Sequence, residues 1–196
     1  MITRSLVGTL VAALLALLSS NNIAHANLIK NPGFETGNFN GWTQSGNLGF
    51  TSVTTDPSHV RSGTFAAFLG PIGSDGFLSQ TLQTIPGKAY IVSFSLRTDP
   101  GAPNDFNASW GGSQFFSQTN IPSGEYQAFT FTEVAQGTST ILQLGYRHDP
   151  AFFGLDDVAV DPVNPTPEPT TMLLLGTTMA GLGLARWRQR RRKHLP

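Results

Sequence analysis

Few residues in this sequence combine the types and the spacing that chemistry requires. Cysteine is absent, which excludes cysteine nucleophiles, redox motifs and thiolate zinc sites. No Gly-x-Ser-x-Gly elbow presents a serine. His59 and His148 have no histidine four residues away, so neither starts a helical zinc pair. Asp156 and Asp157 are adjacent carboxylates, but neighbouring side chains on an extended strand point to opposite faces. They are therefore not expected to act as the carboxylate pair that hydrolyses a glycosidic bond. Gly176, Gly181 and Gly183 lie inside an apolar run and cannot form a phosphate loop.

The elements around these residues read as β-structure. From 27 to 162 the pattern is short and two-periodic, punctuated by Gly, Pro, Asn and Ser, which predicts many strands and no long helix. Tyr90 to Arg97 is the clearest strand, with Tyr90, Val92, Phe94 and Leu96 on one face. Phe77 to Ile85 is expected to pair with it as a hairpin through the Pro86-Gly87 turn. Phe106 to Trp110, Tyr126 to Val134, Thr140 to His148 and Leu155 to Val160 continue the series. The spacing predicts an all-β antiparallel sandwich of the jelly-roll kind, with Val92, Phe94, Leu96, Phe129, Phe131, Leu142 and Leu144 buried. With no disulfide available, such a domain must rest on its core, its ladders and any metal it binds.

Both ends of the chain read as addresses. Arg4, the apolar run Leu6 to Leu18 and Ala24-His25-Ala26 make a secretory signal peptide over residues 1–26, with Asn27 as the expected mature N-terminus. At the other end Pro167-Glu168-Pro169 closes a proline-rich linker, 163–169. Sixteen uncharged residues, 170–185, then precede an arginine-rich end. Such a run spans about 24 Å as a helix, short of a ~30 Å hydrocarbon core, and flanking arginines can snorkel to make up the difference. The basic end marks the cytoplasmic side, which makes 170–196 a transmembrane span with a sorting tail. Residues 27–169 carry five cationic against twelve anionic side chains, a formal charge of −7. An acidic exported domain argues against nucleic acid as a partner.

The order of tripeptide, apolar span and basic end resembles the PEP-CTERM sorting signal. That resemblance implies recognition of Pro167, Glu168 and Pro169 by an exosortase-type membrane enzyme that cuts near the tripeptide. It also implies a transient inner-membrane anchor through 170–185, followed by release to the cell surface or extracellular matrix of a Gram-negative bacterium that makes exopolysaccharide. A second resemblance runs through Asn27 to Glu35, Gly41-Trp42, Ser62 to Ala67, Leu78 to Leu82, Pro86 to Tyr90 and Gly154 to Val160. In this order the segments are similar to carbohydrate-binding modules of the 4/9 type and related galactose-binding-like jelly rolls.

What the second resemblance implies is a structural calcium held by Glu35 and Asp156, with loop carbonyls completing a shell of six to eight oxygens. It also implies sugar rings stacked on aromatic side chains. Trp110, flanked by Gly111 and Gly112, and Tyr146 beside Arg147 are the expected contacts, whereas Trp42 is expected inside. Asn107-Ala108-Ser109 fits a glycosylation sequon and is read as chance. The expected function is therefore a non-catalytic surface or matrix protein that binds glycan, exopolysaccharide in particular. A glycan-active enzyme, and a purely structural matrix protein without a defined ligand, are the alternatives.

Overall fold

The computed structural model describes residues 27–163. The signal segment 1–26, the tripeptide Pro167-Glu168-Pro169 and the span 170–185 lie outside the described residues. Ten strands are present: β1 (Thr43–Gly46), β2 (Thr51–Thr54), β3 (Ala66–Leu69), β4 (Gly76–Gln83), β5 (Ala89–Thr98), β6 (Asn104–Trp110), β7 (Ser113–Thr119), β8 (Gly124–Val134), β9 (Ser139–His148) and β10 (Phe153–Pro162). They form two five-stranded antiparallel sheets, sheet A in the order β1-β4-β9-β6-β7 and sheet B in the order β2-β3-β10-β5-β8. Among the described residues there is no helix.

The expected hairpin of β4 with β5 does not form. β4 pairs with β1 and β9 in sheet A, and β5 pairs with β10 and β8 in sheet B. The Pro86-Gly87 turn carries the chain from one sheet to the other. Its backbone closes on the connection after β8, where Gly87 N donates to Ala135 O at 2.8 Å and Ala135 N donates to Lys88 O at 3.0 Å. Both strands have one strongly apolar face, and in the observed arrangement those faces meet across the sandwich.

Period-two alternation then builds the core. Leu78 and Leu82 of β4, Phe106 and Trp110 of β6, and Leu142, Leu144 and Tyr146 of β9 point inward from sheet A. Val92, Phe94 and Leu96 of β5, with Phe153, Leu155 and Val160 of β10, meet them from sheet B. Phe94 is the centre of an aromatic cluster, with ring centroids 5.3 Å from Phe106, 5.3 Å from Phe129, 5.7 Å from Phe116 and 6.2 Å from Phe131. Phe129 and Phe131 are half-buried rather than enclosed, because β8 is the edge strand of its sheet.

The start of the domain is tied to the last strand. Leu28 N donates to Val160 O at 3.0 Å, and Asn27 donates through Nδ2 to Val158 O and accepts from Val160 N, both at 2.9 Å. Residues at opposite ends of the domain thus share one hydrogen-bonded patch on a strand in the middle of sheet B.

Truncating the central ring should open a cavity that neighbouring rings from two sheets cannot fill. Phe94→Ala is expected to lower the unfolding free energy by about 3–5 kcal/mol, measured by urea denaturation. A loss below about 1 kcal/mol would show that the aromatic cluster is not the centre of the core.

Candidate binding face and carboxylate latch

The alternation that buries Leu142, Leu144 and Tyr146 sends Gln143, Gly145 and Arg147 to the outer face of sheet A. Register aligns them with outward residues on the flanking strands. One cross-strand row runs Ser45, Phe77, Gly145, Asn107 and Ser117. The next runs Thr43, Ser79, Gln143, Ser109 and Gln114. A third pairs Arg147 with Asp105 and Thr119.

This face differs from an ordinary solvated sheet surface. Its middle rows carry amides and hydroxyls in place of lysine and glutamate, and an aromatic ring, Phe77, lies partly exposed beside them. Among the described residues the side chains of Asn107, Gln143, Ser79 and Ser109 make no hydrogen bond to protein. Other amide side chains, those of Asn27, Asn31, Asn47, Gln80 and Asn104, bond to backbone groups. The unengaged set is half-buried in the sheet surface, so its polar atoms are held in place and open to solvent on one side.

Charge is concentrated at one end of the face. Arg147 donates to Asp149 Oδ2 from Nε at 3.0 Å and from Nη2 at 2.5 Å, which holds the Asp149 carboxyl below the usual carboxylate range. Burial pushes Asp105 up, the nearby Asp75 and Asp149 charges push the same way, and Arg147 opposes them. The local field is therefore negative even with Arg147 present.

A second constellation lies on the outer side of sheet B. Asp156 is fully buried and accepts hydrogen bonds at Oδ2 from Arg61 N at 3.0 Å and Ser62 N at 3.1 Å, and at Oδ1 from Asp157 N at 2.7 Å. Glu35 accepts from Thr64 N at 3.1 Å and Phe65 N at 3.2 Å. The two carboxylates thus grip one stretch of loop, residues 61–65, from its two sides. Gly33 lies between them: a Cβ there would be 3.2 Å from Asp156 Oδ1 and 3.6 Å from Glu35 Oε1.

Asp157 does not point away from its neighbour as strand alternation predicts. The ladder with β5 shifts register between Asp156 and Ala159, and Asp157 takes a left-handed φ of 52°. This bulge turns both carboxylates to the same loop, where Asp157 receives Arg61 Nη1 and Ser62 Oγ, each at 2.6 Å. The Arg61 guanidinium is spent on Asp157, so Asp156 has amide donors but no cationic partner. Burial raises its pKa, and the bonds from Ser62, Asp157 and Arg61 only partly offset that.

A buried carboxylate is normally paired with a cation, bound to a metal or hydrogen-bonded, and here the oxygens of Glu35 and Asp156 accept backbone amides without a cationic partner. Among the described residues no group of three acidic or histidine side chains gathers. Backbone carbonyls would have to supply the remaining oxygens of a calcium shell.

The aromatic contacts expected from the sequence are not available to a ligand. Trp110 is 4% exposed, and its Nε1 donates to Val134 O at 3.2 Å. Tyr146 is fully buried beneath sheet A, and that burial pushes its hydroxyl up to about 12. Both stand on inward positions of their strands, so no sugar ring can reach them. Arg147 does reach the outer face. Trp42 is buried and stacks on Phe34 at 5.7 Å, as expected. Sequence reasoning missed Phe77, Gln143 and Asn107. The signal for them was the run of uncharged amides and hydroxyls at the outward positions of β4, β6 and β9.

Comparisons with known proteins agree with this architecture. Residues 165–192 match the PEP-CTERM protein-sorting motif, which marks an exported chain with a C-terminal sorting signal. No curated protein matches the sequence. Among solved structures, a family 61 carbohydrate-binding module in complex with β-1,4-galactotriose is 24% identical at a TM-score of 0.57, covering 70% of this chain and 99% of that one. A family 22 xylan-binding domain from Paenibacillus barcinonensis is 19% identical at a TM-score of 0.52, covering 72% and 97%. The enzymatically active domain of a bacteriophage tailspike protein is 13% identical at 0.54, covering 70% of this chain and 21% of that one. At these identities the likeness is one of fold alone: the described domain has the two-sheet jelly-roll sandwich that these structures share.

The latch has a graded signature. Asp156→Ala leaves three backbone donors without an acceptor and should destabilise the domain by about 3 kcal/mol or more. Asp157→Ala, whose partner Arg61 is 41% exposed, should cost about 1 kcal/mol or less. Equal losses in chemical denaturation would show that burial of Asp156 is not what holds the loop.

Proposed function

We propose that this chain is an exported, non-catalytic glycan-binding protein whose ligand lies along the outer face of sheet A. The observation that carries this is the set of half-buried amides and hydroxyls, Asn107, Gln143, Ser79 and Ser109, that face outward with no protein partner. Polar groups held in place but unbonded suit a ligand rich in hydroxyls. Phe77 gives such a ligand an apolar ring face to lie on, and beside it the Asn107 carboxamide lies across Gly145. The likeness to carbohydrate-binding modules supports the same reading, and exopolysaccharide is the ligand that the sorting motif favours.

The test is retention of polysaccharides in affinity electrophoresis beside a hydrolysis assay. Phe77→Ala should weaken binding of any retained polysaccharide about tenfold, which corresponds to about 1.4 kcal/mol, with no product formed by the parent protein. Turnover abolished by Asp105→Asn would overturn the non-catalytic reading in favour of a glycan-active enzyme. No binding to any polysaccharide would leave a structural matrix protein.

Calcium enters the proposal as a structural ion at Glu35 and Asp156. A metal that binds the native state alone raises stability by mass action. The melting midpoint should rise with calcium and fall with a chelator, and Asp156→Asn should abolish the difference. An unchanged midpoint in the parent protein would remove calcium from the site.

Sorting is proposed to run through residues 163–196. The span 170–185 would hold the chain in the inner membrane until an exosortase-type enzyme cuts near Pro167 to Pro169. Glu168→Ala should then leave the chain at full length in the membrane fraction of cells that contain the enzyme. Equal length and equal retention in cells with and without the enzyme would make the tail an ordinary anchor.

A further inference from the structure

Gly145 poses a question that backbone conformation does not answer. It sits in the middle of β9 without a left-handed φ, so nothing in its backbone requires glycine. What requires it is space. Asn107 is its register partner on β6, and a Cβ on Gly145 would stand 2.5 Å from Oδ1 and 2.7 Å from Nδ2 of Asn107. The carboxamide therefore lies across the bare backbone of the neighbouring strand, in a place that any other residue at 145 would occupy.

Resting on the reading of sheet A as a glycan face, we infer that Asn107 laid across Gly145 selects the ligand, and that it selects an uncharged sugar presenting two neighbouring hydroxyls. A carboxamide carries an acceptor oxygen and a donor nitrogen side by side. Two vicinal hydroxyls can meet both at once, one donating and the other accepting. Asn107 has no competing protein bond among the described residues, and its half-burial limits the rotamers it must give up on binding.

The charge around it rejects the other common class of polysaccharide. A uronate needs a free cation, and on this face Arg147 is already bonded twice to Asp149. Asp105 is the register partner of Arg147, and the Asp75 charge acts on it. A carboxylate sugar brought here meets like charge, and the neutral amide and hydroxyl donors of the face supply no compensating positive charge. Asp105 is pushed up first by burial, with the Asp75 and Asp149 charges adding to it and Arg147 opposing them.

The experiment uses the full chain in detergent and measures retention of xylan, galactan and mixed-linkage glucan against a polyuronate. At least one neutral polysaccharide should bind, the polyuronate should not, and periodate oxidation, which cleaves vicinal diols, should remove the binding. Asn107→Ala should weaken binding at least tenfold. Gly145→Ala should do the same although it keeps Asn107, because the new methyl displaces the carboxamide. Melting midpoints check that both variants fold, and Asn107→Ala alone decides the matter if Gly145→Ala does not. If Phe77→Ala weakens binding while Asn107→Ala binds like the parent, the selector is not Asn107 and the glycan face stands. If the polyuronate binds best, the charge assignment is wrong. If nothing binds, the face is not a glycan site and the inference falls with it.

Discussion

The alternation of strand β9 is the constraint on which both the core and the face depend. Leu142, Leu144, Tyr146 and His148 point into the sandwich and are buried. The pleat then leaves Gln143, Gly145 and Arg147 no option but the opposite face. A slip of one residue would put a glutamine and an arginine into the core and two leucines into water. Core energetics thus hold the polar row in register, since β9 is flanked on both sides by β4 and β6. A binding surface built on central strands inherits the rigidity of the core beneath it, which lowers the entropy lost when a flexible ligand is held.

The opposite sheet needs a different device. Loop 55–65 connects β2 to β3 and has no ladder of its own, so side chains meet several of its backbone donors. Asp156 and Glu35 meet them, and the bulge at Asp156 to Ala159 adds Asp157. Tyr126 adds a hydroxyl bond to His59 O at 2.7 Å, lying over Gly154, where a Cβ would come within 2.6 Å of that hydroxyl. The loop is therefore anchored by groups from the N-terminal segment, β8 and β10. That closes the sandwich on one side and leaves the outer face of sheet A open on the other.

Much of the fold was legible because strong alternation survives in sequence. Six of the strands were located within about two residues, the uncertainty usual for element ends, and Val92, Phe94, Leu96, Leu142 and Leu144 are buried as expected. Strands β1, β2, β3 and β7 escaped notice because they are short or rich in serine, glutamine and alanine. The β4–β5 hairpin was misread because a Pro-Gly turn looks the same whether the chain returns to its own sheet or crosses to another. The site was harder. Family likeness paired Glu35 with Asp156 as calcium ligands, whereas their shared hold on the amides of loop 61–65 and the bulge that recruits Asp157 cannot be read from alternation. Residue type and neighbours, Gly111-Gly112 for Trp110 and Arg147 for Tyr146, point to ligand contacts, but each shares its strand parity with buried leucine or phenylalanine. Asn107, set aside as a chance sequon, is the residue that Gly145 makes room for.

The most direct measurement of the central claim is amide chemical-shift mapping of the isotope-labelled protein during titration with an oligosaccharide of a polysaccharide it retains. Shifts concentrated on β4, β9 and β6, at Phe77, Gly145 and Asn107, are the result expected if sheet A is the binding face. Shifts confined to the 61–65 loop or to the turns at the ends of the sandwich, with β9 unmoved, would contradict it.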